Sequence, residues 1–118
     1  MEPALNLTEQ DRLCFMQALN AVAYRKKNPE AVWLELLRQF RDLFGVSKAD
    51  YQFQAGVPGI AEKMNQIKSP RARLYFLRII HDVHLKEVEA QFWPRDKNDS
   101  LTTFKCLYRE LVEDIRIY

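Results

Sequence analysis

Apolar residues recur along this chain at intervals of three and four, and one such series occurs twice. Each copy begins with an arginine, Arg12 or Arg73, and has a phenylalanine three positions later. This spacing places side chains on one face of an α-helix. The copies are Arg12, Leu13, Phe15, Met16, Leu19 and Val22, and Arg73, Leu74, Phe76, Leu77, Ile80 and Val83. We interpret the match as an internal duplication.

A second pair of matching series follows the first pair. Trp33, Leu36, Leu37, Phe40 and Phe44 have the spacing of Phe104, Leu107, Tyr108, Leu111 and Ile115. Helix starts are indicated by Thr8, by Asn28-Pro29 and by Ser69-Pro70, and Gly45 indicates a helix end. Each copy is therefore predicted to be a helical hairpin.

These patterns predict an all-α fold, a compact bundle of about five to six helices built from a duplicated hairpin. We expect one domain over 1–118, with one hairpin at 8–44, short connecting helices at 46–68 and the second hairpin at 69–116. The hydrophobic content of 47% and the presence of only 3 glycines agree with a helical globular chain.

Composition also indicates where the protein works. No apolar run approaches the ~18 residues of a membrane span, and residues 1–6 do not resemble an export signal. The two cysteines, Cys14 and Cys106, form no Cys-x-x-Cys motif, and we expect reduced thiols in or near the core. We therefore expect a cytoplasmic protein with no membrane span.

The turn Leu43-Phe44-Gly45-Val46-Ser47, followed by Asp50, resembles the end of the second helix in the TerB-like tellurite-resistance and stress-response fold. The resemblance covers Thr8 to Ile115. It implies the helical arrangement predicted above and a role in stress response or in the biology of a phage or plasmid.

The metal-binding motif of that family is missing here. Its metal-binding members carry an Asp-Gly turn between the helices of each hairpin and a glutamate soon after. The first turn of this chain instead reads Tyr24-Arg25-Lys26-Lys27-Asn28-Pro29-Glu30, and the stretch from His81 to Glu87 has no Asp-Gly turn either. We assign no metal ligand from the resemblance.

His81 and His84 are the remaining candidates for a metal site, because a spacing of three puts both on one helix face. The carboxylates nearby in sequence do not share that face, so ligands from another helix would be needed. The alternative is that both histidines lie at the edge of the core, and no cofactor is expected.

Large aromatic residues in two irregular stretches are the candidates for partner binding: Tyr51, Phe53, Phe92 and Trp93, with Arg95 as a polar rim. The alternative is that these rings cover the ends of the bundle. On this basis we expect a non-enzymatic adaptor module that binds a partner protein or a second copy of itself.

Two other functions stay open. A divalent-metal-binding TerB-like protein is one, and the other is a weak nucleic-acid-binding accessory protein. The latter would use Arg25, Lys26 and Lys27 with Arg71, Arg73 and Arg78, although the net charge is only +2. An enzyme is not expected, because neither a Gly-rich phosphate loop nor a Gly-x-Ser-x-Gly motif is present.

Overall fold

The computed structural model describes residues 7–25, 29, 31–51, 57–90 and 98–117, with the backbone alone for 49, 57, 58, 84, 86–90 and 98–105. These residues form six α-helices and no strand. In chain order the helices are α1 (Glu9–Ala23), α2 (Ala31–Phe44), α3 (Lys48–Tyr51), α4 (Val57–Asn65), α5 (Pro70–Ala90) and α6 (Asn98–Asp114). The predicted all-α bundle is confirmed.

A capping box starts α1. The Thr8 hydroxyl accepts a hydrogen bond from the Asp11 amide at 3.1 Å, and the Asp11 carboxylate accepts one from the Thr8 amide at 3.4 Å. Two amides that the helix cannot satisfy itself are thus bonded. Ser69 caps α5 through one hydrogen bond, in which its hydroxyl accepts from the Ala72 amide at 3.2 Å.

α1 is the central helix of the bundle. Helices α2, α3 and α4 all pack against it. Its buried residues therefore extend around much of its circumference, and they are Cys14, Phe15, Met16, Ala18, Leu19, Asn20, Ala21, Val22 and Ala23. α2 has a narrower apolar face, on which Trp33, Leu37 and Phe40 are buried.

Phe15 joins the two halves of the chain at the centre of the core. Its ring lies 5.3 Å from the ring of Phe76, its counterpart in the second copy, and 5.4 Å from that of Phe40. The edge-on contact with Phe76 is a favourable arrangement of aromatic quadrupoles. All three phenylalanines are buried, so this cluster holds α1, α2 and α5 together.

The two arginines that begin the repeated series make matching hydrogen bonds. Arg12 donates to the Leu7 carbonyl at 3.0 Å, and Arg73 donates to the Lys68 carbonyl at 3.0 Å. Each side chain thus reaches back five residues past a capped helix start. The match extends the sequence similarity of the copies to their local geometry, while the duplication itself stays an interpretation.

The remaining helices close the bundle. α6 packs against α5 and α4. Among its described side chains Leu107 and Leu111 are buried, as is Ile115 just after the helix end. The Cα radius of gyration is 13.9 Å, close to the value of about 13.5 Å typical of a compact domain of this length. Within the described ranges, no helix has the length and apolar character required to cross a membrane.

Candidate docking face on α5

Five residues of α5 form a continuous stripe on the side away from the core, which we call the outer α5 face. They follow each other at intervals of three and four, and they are Arg71, Leu74, Arg78, His81 and Leu85. All five are exposed, including the leucines, with 39% exposure for Leu74 and 47% for Leu85. The opposite side of α5 carries the buried Phe76, Ile80 and Val83.

A ring contact connects the outer α5 face to α6. The His81 imidazole lies 5.4 Å from the Tyr108 ring, centroid to centroid. One helical turn beyond Tyr108, Val112 is 42% exposed. The apolar surface therefore continues from α5 onto the adjoining edge of α6.

The charge on this surface is mainly positive on α5. Arg71 and Arg78 are both exposed, and each is one turn from Leu74. Asp82 is the neighbouring acid, with its carboxylate 3.9 Å from the His81 imidazole. Arginines thus flank Leu74, whereas Leu85 lies one turn from Asp82. An exposed surface of this kind suits a partly apolar ligand rather than a catalytic reaction.

The predicted partner-binding residues lie elsewhere or outside the described part of the chain. Tyr51 is only 3% exposed and belongs to the core, because α3 packs against α1. This corrects the expectation of a partly exposed ring at that position. Phe53, Phe92, Trp93 and Arg95 lie outside the described residues, so their role stays a prediction.

The histidine pair is described only in part. Among the described residues, no three His, Cys, Asp or Glu side chains come close enough together to hold a metal ion. His81 is exposed and lies against Tyr108, whereas the side chain of His84 is outside the described part. Among the residues that the structure describes, no set of side chains therefore forms a metal site around His81.

The predicted basic surface is divided by the fold. Arg73 is buried and donates to the carbonyls of Lys68 and Ser69, so it does not share a surface with Arg71 and Arg78. The Arg25 guanidinium lies over the Trp33 ring at 5.3 Å. Lys26 and Lys27 lie outside the described residues.

An open groove of about 610 Å³ lies between the start of α1 and the turn from α2 to α3. Two of its polar side chains already serve the fold, since Thr8 caps α1 and Arg12 bonds to Leu7. The described residues that line it are Thr8, Glu9, Gln10, Arg12, Leu13, Phe44, Gly45, Val46, Ser47 and Asp50. They include neither histidine nor cysteine, so the groove pairs no imidazole with a nucleophile.

The cysteines differ in environment. Cys14 is buried, as expected, and its thiol is within 3.5 Å of the Gln66 side-chain oxygen. Cys106 is exposed on α6, which differs from the expectation of a thiol in or near the core. The reason is that Leu107, the next residue, takes the buried position of that helical turn.

Comparison with known proteins adds no relative: the chain matches no family model, no curated protein and no solved structure. The resemblance to the TerB-like fold therefore stays a prediction.

The sequence does not distinguish the outer α5 face, because Leu74 fits the inward apolar series equally well. The signal in the sequence is that Leu74 and Leu85 share a stripe with Arg78 and His81, and the packing of the helices shows that this stripe faces outward.

Proposed function

We propose that this protein is a non-enzymatic interaction module that binds a partner protein through the outer α5 face. The observation that supports the proposal is that exposed aliphatic residues share this face, since Leu74 and Leu85 lie about three helical turns apart on the same side of α5. On α5, Leu74 precedes His81 and Leu85 follows it. On α6, Val112 lies one turn after Tyr108, whose ring contacts His81. Covering one half-exposed leucine contributes roughly 1–2 kcal/mol, from which the cost of association is subtracted.

α2 provides the contrast. It also exposes two leucines, Leu34 and Leu43, but nine residues separate them. At ~100° per residue, that separation puts them about 180° apart on the helix. They cannot contribute to one patch, and isolated exposed leucines are ordinary on protein surfaces. They are therefore suitable control positions.

The test is site-specific photo-crosslinking in the protein's own cells. A photoreactive phenylalanine analogue replaces Leu85 in one variant of the full chain and Leu43 in another. We expect one protein to crosslink in high yield from position 85 and not from position 43. Leu74→Glu should reduce that crosslink at least tenfold, whereas Leu34→Glu should leave it unchanged.

Equal crosslinking from both positions, or a product that survives Leu74→Glu, would rule out the outer α5 face as the docking surface. Circular dichroism of each variant checks that the bundle is intact.

The pair Phe92→Ala and Trp93→Ala, assayed with the same crosslinker, tests the aromatic residues predicted from the sequence. A role in stress response or mobile-element biology belongs to the proposal only through the TerB-like resemblance.

A further inference from the structure

The leucines of the outer α5 face are arranged symmetrically along the helix. Leu74 and Leu85 lie at equal distances from a point between residues 79 and 80, and both are exposed. Charged side chains lie on the two sides of the same point, with Arg78 before it and Asp82 after it. At ~100° per residue, Asp82 lies about 40° around the helix from Arg78, at the border of the face. A face of this kind repeats its leucines when its direction is reversed and exchanges its positive and negative charges.

The two charges at this point do not pair with each other, although their spacing allows it. Asp82 follows Arg78 by four residues, and both side chains are exposed. On α2 the same spacing gives the ion pair between Arg38 and Asp42 at 3.2 Å. Within the described ranges, Arg78 forms neither an ion pair nor a hydrogen bond, and Asp82 has only the exposed His81 imidazole beside it at 3.9 Å. A second molecule can therefore use both charges without breaking a hydrogen bond.

Two copies of α5 packed in opposite directions through this face bring complementary groups together. When a two-fold axis passes between residues 79 and 80, Leu74 of each copy lies at the height of Leu85 in the other. Arg78 lies within one residue, or ~1.5 Å, of the height of Asp82 in the other copy. The pair then contains two leucine contacts and two arginine–carboxylate pairs. A parallel pair would instead place each arginine beside the same arginine.

In such a pair, helix α6 lies on the same side of the two α5 helices in both copies. A two-fold axis that runs between two antiparallel helices, at right angles to them, maps each flank of one helix onto the same side of the pair. His81 marks the flank next to α6, since its imidazole contacts the Tyr108 ring. The exposed Val112, one turn after Tyr108, adjoins the same flank. Two copies of this α6 edge can therefore widen the interface beyond α5.

We propose that the outer α5 face binds a second copy of this chain, with the two α5 helices antiparallel about an axis between residues 79 and 80. This inference rests on the proposed function and names the partner. A second copy necessarily carries the leucine spacing and the reversed charges that complement the face. The face extends over ~21 Å from Arg71 to Leu85, which is short for a standard interface of about 800 Å² per partner. We therefore expect a weak, reversible dimer.

The first test exchanges the charges at the centre of the pair and follows self-association of the full chain by sedimentation equilibrium. Arg78→Glu and Asp82→Lys should each weaken association at least tenfold, because each puts like charges opposite one another. An equimolar mixture of these two variants should regain association, as should the double variant, since unlike charges then face each other again. Lys48→Glu, a charge reversal at an exposed position on α3, should leave association unchanged.

The second test measures the direction of the pair in a Cys106→Ser background, because Cys106 is an exposed thiol. Chains carrying Leu74→Cys and chains carrying Leu85→Cys, mixed under mild oxidation, should form mainly the mixed disulfide. Neither chain should form a disulfide with itself, because the two residues 74 of antiparallel copies lie ~16 Å apart along the helices, beyond the reach of a disulfide. A parallel pair would give the reverse result.

Three results would overturn the inference: a chain that stays monomeric up to roughly 1 mM, a folded double variant that does not regain association, or disulfides that form between two residues 74. Circular dichroism establishes that each variant is folded. A crosslink from position 85 to a different protein, in a chain that does not self-associate, would remove the second copy and leave the docking function. The absence of both self-association and any crosslink from position 85 would remove the docking function itself.

Discussion

At the scale of single residues, Arg38 shows how an exposed charge can be fixed in place by its own helix. It lies one turn from Glu35 on one side and from Asp42 on the other, and it forms ion pairs with both. The hydrogen bonds from Arg38 hold the pKa of Glu35 below its ordinary value, with smaller help from Gln39. The ionised form of Glu35 is therefore the one that the folded helix favours.

The first prediction concerns this carboxylate. Because its pKa is lower in the folded state, Glu35 stabilises the fold above the ordinary pKa, and that contribution is lost as the pH falls through the lowered value. Arg38→Ala should return the Glu35 pKa toward its ordinary value and flatten this part of the stability profile. An NMR titration of Glu35 measures the change, and Arg41→Ala, which leaves the pair intact, should not alter it.

Two adjacent residues show what residue polarity alone could not predict. Arg73 is only 8% exposed, whereas Leu74 is 39% exposed. Polarity predicts the opposite arrangement, and the repeated series was interpreted that way. The buried arginine is accommodated because its donors reach the Lys68 and Ser69 carbonyls at the helix start. Ala72 on the other side of Arg73 is buried too, so the boundary between the buried and exposed sides of α5 runs between Arg73 and Leu74.

At the scale of elements, the end of α2 depends on one backbone conformation. Gly45 has φ of +66°, and its amide donates to the Arg41 carbonyl at 2.9 Å. No atom lies within 4 Å of the position that a Cβ would occupy there. A side chain at this position is therefore opposed by the backbone conformation and not by a neighbour.

The second prediction tests whether backbone conformation alone opposes a side chain at position 45. Gly45→Ala should lower the free energy of unfolding by roughly 1 kcal/mol, because alanine disfavours the left-handed conformation. Gly45→Asn should lose less, since asparagine tolerates this conformation better. Urea denaturation measures both, and equal losses for the two variants would contradict a purely conformational effect.

Most of the elements could be predicted from caps and periodicity. Thr8 and Ser69 start helices as expected, and Gly45 ends one. Periodicity alone could not show which side of α5 faces outward, because that depends on how the helices pack together. The candidate docking face therefore emerged only from the structure.

At the scale of the whole molecule, Asn65 joins the end of α4 to the end of α6. Its side-chain amide donates to the Asp114 carbonyl at 3.0 Å, and its oxygen accepts from the Arg116 amide at 2.8 Å. These groups lie about fifty residues apart in sequence. One side chain thus satisfies two backbone groups at a helix end and fixes how the second hairpin meets α4.

The third prediction tests this link. Asn65→Ala should destabilise the protein by about 1–2 kcal/mol, because it removes both hydrogen bonds at a partly solvated site. Hydrogen exchange at the Arg116 amide should accelerate in the same variant. Glu62→Ala, at an exposed position on the same helix, should change stability by less than ~0.5 kcal/mol. A slow Arg116 amide in the Asn65→Ala variant would show that the link does not hold α6.

The contact between Phe15 and Phe76 also affects how the chain folds during synthesis. The first hairpin leaves the ribosome well before α5 exists, and 61 residues separate the two rings. At ~5–20 residues per second, Phe15 waits roughly 3 to 12 seconds for its partner ring. During that interval an apolar surface at the heart of the later core is exposed to water and to chaperones. We therefore expect Phe15 of the nascent first half to be covered only in part, by Phe40, until α5 has emerged.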